Sequence, residues 1–381
     1  MPWSTNLSVR YHQQNTDKLC GPASAMMVLH SIDGQTVQED ELWGKLKSSI
    51  GGWNTNPWSL EAGLNRYAPQ RFVGRFRAVP GNNQNDANSR VVGALLAQEP
   101  VPPVVLVFGK AHWVVVTNVN LAAMPNGDAL MVLGYYIHCP TVSPLNPPRL
   151  HGDNDLCATG STFGSTDAYQ YVSYPAWQDE YFNGYYDGRE FKFVTVAIDD
   201  SSVLPEISRL SERTERLRLY GYDAAYLSEF VNPKVAADDA LAAITSHGLG
   251  DHGPLQSALH DLTAAGEPEL VTRVDVLRWT YYVVPLLRGD RVVGVARMNA
   301  LTSAFMGASA TPDGVYHILS SATLKKELPA GYVATGLVWA PCRESRSQYH
   351  PLRRIRGPAG CGFLDQRGVY HESLTPLTSG G

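Results

Sequence analysis

The sequence has few cysteines, little charge and no long apolar run. Five cysteines in 381 residues are too few for a disulfide-stabilised scaffold. No window has the roughly 18 consecutive apolar residues of a membrane span, and the first residues lack the pattern of a secretory signal. A net charge of −5 at pH 7 does not favour nucleic acid as a partner. We therefore expect a cytoplasmic protein with reduced thiols and with neither a nucleic-acid nor a membrane partner.

The length of the chain favours two domains. A single hydrophobic core stops growing beyond about 250–300 residues, and this chain has 381. The polar segment DDSSVLPE, at 199–206, separates two halves of different character. We predict an N-terminal domain at residues 1–200 and a smaller accessory domain at residues 201–381.

The first half predicts a helix beside an antiparallel sheet. The helix is expected to begin with Ser89 as its N-cap and to stop at Pro100. HWVVVTNV alternates from His112 as a strand does, and ALMVLGYYIH returns to His138 after an Asn-Gly turn. EFKFVTVAIDD, at 190–200, is a further strand. His112 is thus expected at the start of one strand and His138 at the end of its neighbour.

The second half predicts helices followed by hairpins. Amphipathic helices are expected at 205–222 and 235–249, and a strong hairpin at 278–300 turns at the Arg-Gly-Asp of 288–290. CGFLDQRGVYHESL, at 361–374, is typical of a weaker hairpin. This order predicts a small α+β domain.

Cys20 has the surroundings of a reactive cysteine. In LCGPASAMMVLHSI, at 19–32, it is followed by Gly21 and Pro22, which suit the first turn of a helix. A helix N-terminus stabilises negative charge and therefore a thiolate, the form of cysteine that attacks carbonyl groups. A lone cysteine is more often a small buried hydrophobe, so the prediction depends on partners elsewhere in the chain.

The sequence supplies such partners. Gln14 precedes Cys20 in HQQNTDKLC and, with the Cys20 N–H, would hydrogen-bond a tetrahedral oxyanion; Gln13 is an adjacent alternative. His112 is the expected general base, and His138 is the nearest group that would orient its ring. His12 is expected at the surface.

These stretches resemble the papain-like cysteine peptidases, in particular the bacterial branch related to the domains that trim double-glycine leader peptides. The similarity lies in QNTDKLCGPASAMM, HWVVVTNV and YYIHCP, within residues 9–140, and extends to YPAWQDEYFNGYY and FKFVTVAIDD. It implies a papain-like α+β fold with Gln14 in the oxyanion hole, Cys20 as nucleophile and His112 as base. The hairpin at 278–300 is similar to cystatin-like or PepSY-type modules, which implies a C-terminal domain that regulates the peptidase or recruits its substrate.

The sequence departs from that family at the third catalytic position. The family has Asp or Asn before proline at the end of the second strand, where this chain has His138 and Cys139. Because cysteine is a weak hydrogen-bonding partner, His138 is the expected orienting residue. The alternatives are Cys139, Asp128, Asp153 and Asp155.

No cofactor and no metal are expected. The stretch HCPTVSPLNPPRLHGDNDLC, at 138–157, contains histidine, cysteine and aspartate, but its spacing fits no compact zinc-binding pattern. Its prolines are typical of a loop.

The sequence therefore predicts a papain-like cysteine hydrolase that cleaves a peptide or isopeptide bond in a peptide or protein substrate. An acyltransferase or another peptide-modifying enzyme would use the same residues. A binding or regulatory protein on a degenerate peptidase scaffold is the third hypothesis, and the departure at the third position favours it.

Overall fold

The computed structural model describes residues 2–15, 18–34, 37–47, 54–107, 112–123, 130–140, 169–186, 190–198, 230–274, 280–311, 328, 331–340, 342–345, 347–358, 360–365 and 368–375. Within these ranges the chain is a mixed α+β structure, in which helices pack against a large and mostly antiparallel sheet. No helix in this part of the chain is long and apolar enough to cross a membrane.

The helices of the described residues fall into two groups, one before the first hairpin and one after it. They are α1 (Cys20–Asp33), α2 (Glu39–Leu46), α3 (Pro57–Tyr67), α4 (Gln84–Leu96), α5 (Tyr174–Ala176), α6 (Pro233–Ser246) and α7 (Gln256–Leu259). A 3-10 turn lies at Gln70–Phe72, and a π-helical turn at Trp177–Tyr181 follows α5.

The strands of the first half are β1 (Pro2–Ser4), β2 (Phe76–Gly81), β3 (Val104–Val107), β4 (His112–Ala123), β5 (Leu130–His138), β6 (Gln170–Ser173), β7 (Tyr185–Tyr186) and β8 (Phe191–Ile198). Those of the second half are β9 (Ala264–Ala265), β10 (Glu269–Arg273), β11 (Thr280–Arg288), β12 (Arg291–Asn299), β13 (Phe305–Ala310), β14 (Val333–Trp339), β15 (Leu352–Gly357), β16 (Gly360–Leu364) and β17 (Tyr370–His371).

One sheet runs through both halves in the order β2, β8, β3, β4, β5, β6, β13, β12, β11, β10, β14, β15, β16 and β17. These neighbours are antiparallel except β10 and β14, which are parallel. β1 pairs with the end of β4, and β9 pairs with the end of β11. The division at residue 200 stays a prediction, but hydrogen bonds of the sheet cross it.

The strand order is similar on the two sides of the β6–β13 pairing. On one side β6 is followed by β5, β4 and β3, and on the other side β13 is followed by β12, β11 and β10. On both sides these strands are antiparallel neighbours. At the seam Gly307 lies opposite Val172. A Cβ atom at Gly307 would lie 2.3 Å from the carbonyl oxygen of Tyr171, so the close approach of the two strands requires glycine.

Helix α1 is buried on every side from Cys20 to Leu29, because small and apolar side chains surround its axis there. Ala23, Met26 and Met27 are buried at the spacing that places side chains one above another. The helix packs on β4 and ends at Gly34, whose φ of 74° is left-handed and whose N–H donates to the carbonyl of His30. The predicted start at Cys20 is confirmed.

Several predicted elements are confirmed and one boundary is wrong. The hairpin of β4 and β5, the hairpin of β11 and β12, the strand β8 and the helix α6 lie where the sequence predicts them. Helix α4 begins at Gln84 and not after Ser89, because Asn83 caps it by accepting a hydrogen bond from the Asn85 N–H. The predicted Asn-Gly turn after β4, the helix at 205–222 and the boundary at 199–206 lie outside the described residues.

Candidate active site

Helix α1 begins at Cys20, and its first turn packs against Thr55. A Cβ atom added to Gly21 would lie 2.7 Å from the Cβ, Cγ2 and Oγ1 atoms of Thr55, so a side chain larger than hydrogen does not fit there. The first-turn N–H groups of a helix carry partial positive charge. Cys20 is therefore placed where a thiolate would be stabilised.

The beginning of β4 lies against the same residue. The carbonyl oxygen of Thr55 accepts a hydrogen bond of 3.0 Å from Nε1 of Trp113, the residue after His112. Ser24, one helical turn after Cys20, donates to the carbonyl of Trp113 at 3.4 Å. These contacts place the first turn of α1 and the first residues of β4 against each other and against Thr55.

The end of β5 reaches the ring of His112 through Cys139. Nε2 of His112 lies 3.2 Å from Sγ of Cys139, and both side chains are buried. The contact arises because β4 and β5 are antiparallel, with His138 opposite Val115. A thiol is a weak donor and acceptor, so this contact orients the ring less strongly than an Asp or Asn would.

Gln14 is anchored next to Cys139. Its main-chain N–H donates to the carbonyl of Pro140 at 2.7 Å. Gln14 is buried, whereas the alternative Gln13 is partly exposed. The predicted oxyanion residue, the predicted base and the thiol of Cys139 are thus joined through consecutive residues at the end of β5.

His138, predicted to orient His112, is held by main-chain groups instead. Its Nδ1 accepts from the N–H of Tyr169 at 2.9 Å, and its Nε2 lies 2.8 Å from the carbonyl of Val9. Because an N–H only donates and a carbonyl only accepts, the ring is neutral with its proton on Nε2. Burial lowers the pKa of His138 to about 4, although main-chain hydrogen bonds oppose the shift. The prediction for His138 is corrected accordingly, because the atom that contacts His112 belongs to Cys139.

His12 is another correction, because it is buried and not at the surface. Its Nε2 lies 2.5 Å from a carboxylate oxygen of Glu39, the first residue of α2. The other oxygen of Glu39 accepts from the N–H of Asn15 at 3.1 Å. Glu39 thus holds the chain on both sides of Gln14, a contact that the local sequence does not reveal.

Groups from both halves of the chain pack near Cys139. Tyr181, Tyr281 and Tyr349 share a buried cluster with Cys139, and burial raises the pKa of the Tyr181 phenol well above its ordinary value. Glu180, the residue before Tyr181, lies 2.5 Å from a terminal nitrogen of Arg297, and neither side chain is exposed. The Arg297 guanidinium lies 4.9 Å from the ring centroid of Tyr281. A buried ion pair therefore joins β12 to the turn beside the candidate site.

The side chains of the candidate site are closed to solvent. Gln14, Cys20, His112 and Cys139 are all buried. The acidic alternatives Asp128, Asp153 and Asp155 lie outside the described residues. Within the described ranges, no three His, Cys, Asp or Glu side chains form a group that would hold a metal ion.

Two residues of the site carried no signal in the sequence. Thr55 lies in a short segment before α3 and contacts the neighbours of both Cys20 and His112. Tyr169 precedes β6 in an aromatic-rich stretch and contacts His138 and Val9. Both act through contacts between residues far apart in the chain, so periodicity does not reveal them.

Comparison of the chain with protein-family models, with curated proteins and with solved structures found no match. The papain-like resemblance of the sequence therefore stays an expectation, and the function is inferred from the geometry.

Proposed function

We propose that the protein is a papain-like cysteine hydrolase of the cytoplasm, which cleaves a peptide or isopeptide bond in a peptide or protein substrate. The observation that carries the proposal is the shared contact with Thr55. The residue after Cys20 and the residue after His112 both contact it, which supports a thiol at the start of α1 close to an imidazole at the start of β4. This is the arrangement that a thiolate–imidazolium pair needs.

In the proposed reaction the Cys20 thiolate attacks the carbonyl carbon and the carbonyl electron pair moves to oxygen. The Gln14 amide and the Cys20 N–H stabilise this oxyanion. The His112 imidazolium gives its proton to the leaving nitrogen as the carbon–nitrogen bond breaks, leaving a thioester on Cys20. His112 then takes a proton from water, which attacks the thioester and releases the acid. Cys139 orients the imidazole through the 3.2 Å contact.

A second candidate is acyl transfer to an amine or thiol, which would use the same residues and would differ from hydrolysis only in the group that reaches the acyl-enzyme. Incubation with amine and thiol acceptors separates the two candidates. Conjugates of the acceptor support transfer, and free acid alone supports hydrolysis.

We propose further that the C-terminal half regulates the candidate site through its contact with the turn at Trp177–Tyr181. Arg297 on β12 of the C-terminal hairpin pairs with Glu180 beside Tyr181, and Tyr181 shares a buried cluster with Cys139. A displacement of that hairpin would thus reach the partner of His112.

The test of the hydrolase is alkylation by iodoacetamide across about pH 4 to 9, read by peptide mapping, for the wild type and His112→Ala. We expect Cys20 to have a thiolate pKa well below the reference value of about 8.5, and this pKa to rise in the variant. Exposed Cys361 is the internal control. If Cys20 reacts only on unfolding, the degenerate scaffold that binds without catalysis replaces the hydrolase.

A further inference from the structure

Three consecutive residues at the end of β5 each hold a different part of the candidate site. His138 bonds the carbonyl of Val9, Cys139 contacts the ring of His112, and the Pro140 carbonyl accepts the N–H of Gln14. The first and third of these contacts tie down the same N-terminal segment. The middle one belongs to the thiol–imidazole pair.

Val9 is held on two sides by buried groups. The Tyr169 hydroxyl donates to the Val9 carbonyl at 2.8 Å and accepts from the Val9 N–H at 3.1 Å. The same carbonyl accepts from Nε2 of His138. The His138 and Tyr169 rings are 4.2 Å apart, edge to face. Val9 is thus fixed by three hydrogen bonds from two side chains.

Tyr169 adopts an unfavourable backbone conformation to make these contacts. Its φ is 51°, in the left-handed region that a tyrosine rarely occupies. In this conformation its N–H reaches Nδ1 of His138 while its hydroxyl reaches Val9. Strained residues persist where the surrounding structure fixes them, and they cluster at functional sites.

We propose that His138 and Tyr169 are positioning residues of the oxyanion hole. They hold Val9 and the Pro140 carbonyl holds Gln14, so both ends of the segment 9–14 are fixed at the end of β5. The Gln14 amide is thereby preorganised to donate a hydrogen bond to the oxyanion. This inference rests on the proposed function, and it assigns to His138 a role outside the thiol–imidazole pair.

The experiment compares two reactions of the same thiol in the full chain. Acylation by p-nitrophenyl acetate forms a bond from Cys20 sulfur to the acetyl carbon, passes through an oxyanion and expels p-nitrophenolate. Alkylation by iodoacetamide forms a sulfur–carbon bond and expels iodide without any oxyanion. The ratio of the two rates at Cys20 therefore reports stabilisation of the oxyanion, and access to the buried thiol largely cancels.

We expect Gln14→Ala to lower this ratio by about 10²–10³ and Tyr169→Phe to lower it by about tenfold, with alkylation unchanged in both. In the double variant the ratio should fall no further than in Gln14→Ala, because both changes act on one group. Tyr282→Phe, which loses a phenol bond to the carbonyl of Val231, is the matched control and should leave the ratio unchanged. If Tyr169→Phe does not fold, His138→Gln takes its place.

The outcomes separate this inference from the proposed function. An unchanged ratio in Tyr169→Phe, or a further loss in the double variant, overturns the positioning role and leaves the hydrolase intact. A rise of the Cys20 thiolate pKa in His138→Gln overturns it as well, because His138 would then belong to the pair. If Cys20→Ala is acylated as fast as the wild type, the proposed hydrolase function is contradicted, and the positioning role is contradicted with it.

Discussion

Nε2 of His112 lies 3.2 Å from Sγ of Cys139, so in the proposed site a thiol stands where a carboxylate or an amide would orient the base more strongly. A thiol accepts hydrogen bonds weakly. The contact with Cys139 therefore orients the ring of His112 less strongly than a carboxylate or amide would. This pairing is the point at which the candidate site is weakest.

Cys139→Asn should strengthen the site. An amide oxygen is a better acceptor for the Nε2–H than sulfur, and an advantage of about 1.4 kcal/mol in the transition state corresponds to about tenfold in rate. We expect acylation of Cys20 by p-nitrophenyl acetate to become about tenfold faster. Cys139→Ala should be slower than the wild type, and Cys361→Asn is the exposed control. Equal losses in Cys139→Asn and Cys139→Ala would contradict an orienting role.

Gly21→Ala should destabilise the protein and disturb Cys20. The added Cβ atom would lie 2.7 Å from three Thr55 atoms, and overpacking of this kind costs about 1–3 kcal/mol. The measurement is the free energy of unfolding in urea, together with the rate of Cys20 alkylation. Gly44→Ala is the matched control, since nothing lies within 4 Å of a Cβ there. Equal effects of the two substitutions would show that Thr55 does not constrain the start of α1.

Arg297→Met should destabilise the protein strongly, because it leaves the Glu180 carboxylate buried and unpaired. Breaking a buried ion pair in this way costs about 3–5 kcal/mol, whereas replacing both partners by apolar groups is often neutral. We expect Arg297→Met/Glu180→Met to recover most of the loss in urea unfolding. Arg353→Met is the comparison, because its partner Glu269 has a side chain 32% exposed and loses less. If the double variant is as unstable as Arg297→Met, the unpaired carboxylate of Glu180 is not the cause of the lost stability.

Stability should fall as the pH drops below about 6.5. Burial lowers the pKa of His138 to about 4 and that of His350 to about 3. Between these values and the unfolded value of about 6.5 the unfolded chain binds more protons, so each histidine makes stability fall by about 1.4 kcal/mol per pH unit as the pH decreases. Above pH 6.5 this contribution is complete and constant.

The measurement is urea unfolding at several pH values between about 4 and 8. His138→Gln should have a shallower pH dependence than the wild type. His260→Gln, whose side chain is 60% exposed in the native protein, should keep the wild-type slope. If the unfolding free energy of His138→Gln depends on pH as strongly as that of the wild type, groups other than His138 bind the protons.

The sequence predicts those parts of the fold that depend on local pattern. The strand that begins at His112 and the helix that begins at Cys20 have clear periodicity, and both are confirmed. The start of α4 was wrong because Ser89 resembles a cap, while Asn83 caps a polar first turn that has no apolar periodicity. The cap at Asn83 therefore starts the helix before the apolar pattern begins.

The remainder depends on contacts between distant residues. The burial of His12 requires Glu39, and the continuity of the sheet requires that Gly307 meet Val172. Neither partner is visible in the neighbourhood of the other in sequence. The sequence also could not decide whether His138 or Cys139 contacts His112. The two residues are adjacent, so their side chains point to opposite sides of the chain, and only the fold determines which side faces His112.

The run His138–Cys139–Pro140 has a consequence for the evolution of this chain. An insertion or deletion within it would shift Val9, His112 and Gln14 relative to one another, so its length is constrained. Its middle residue, however, contacts the imidazole without supporting either anchor. A substitution at the third position can therefore change the partner of the imidazole without moving Val9 or Gln14.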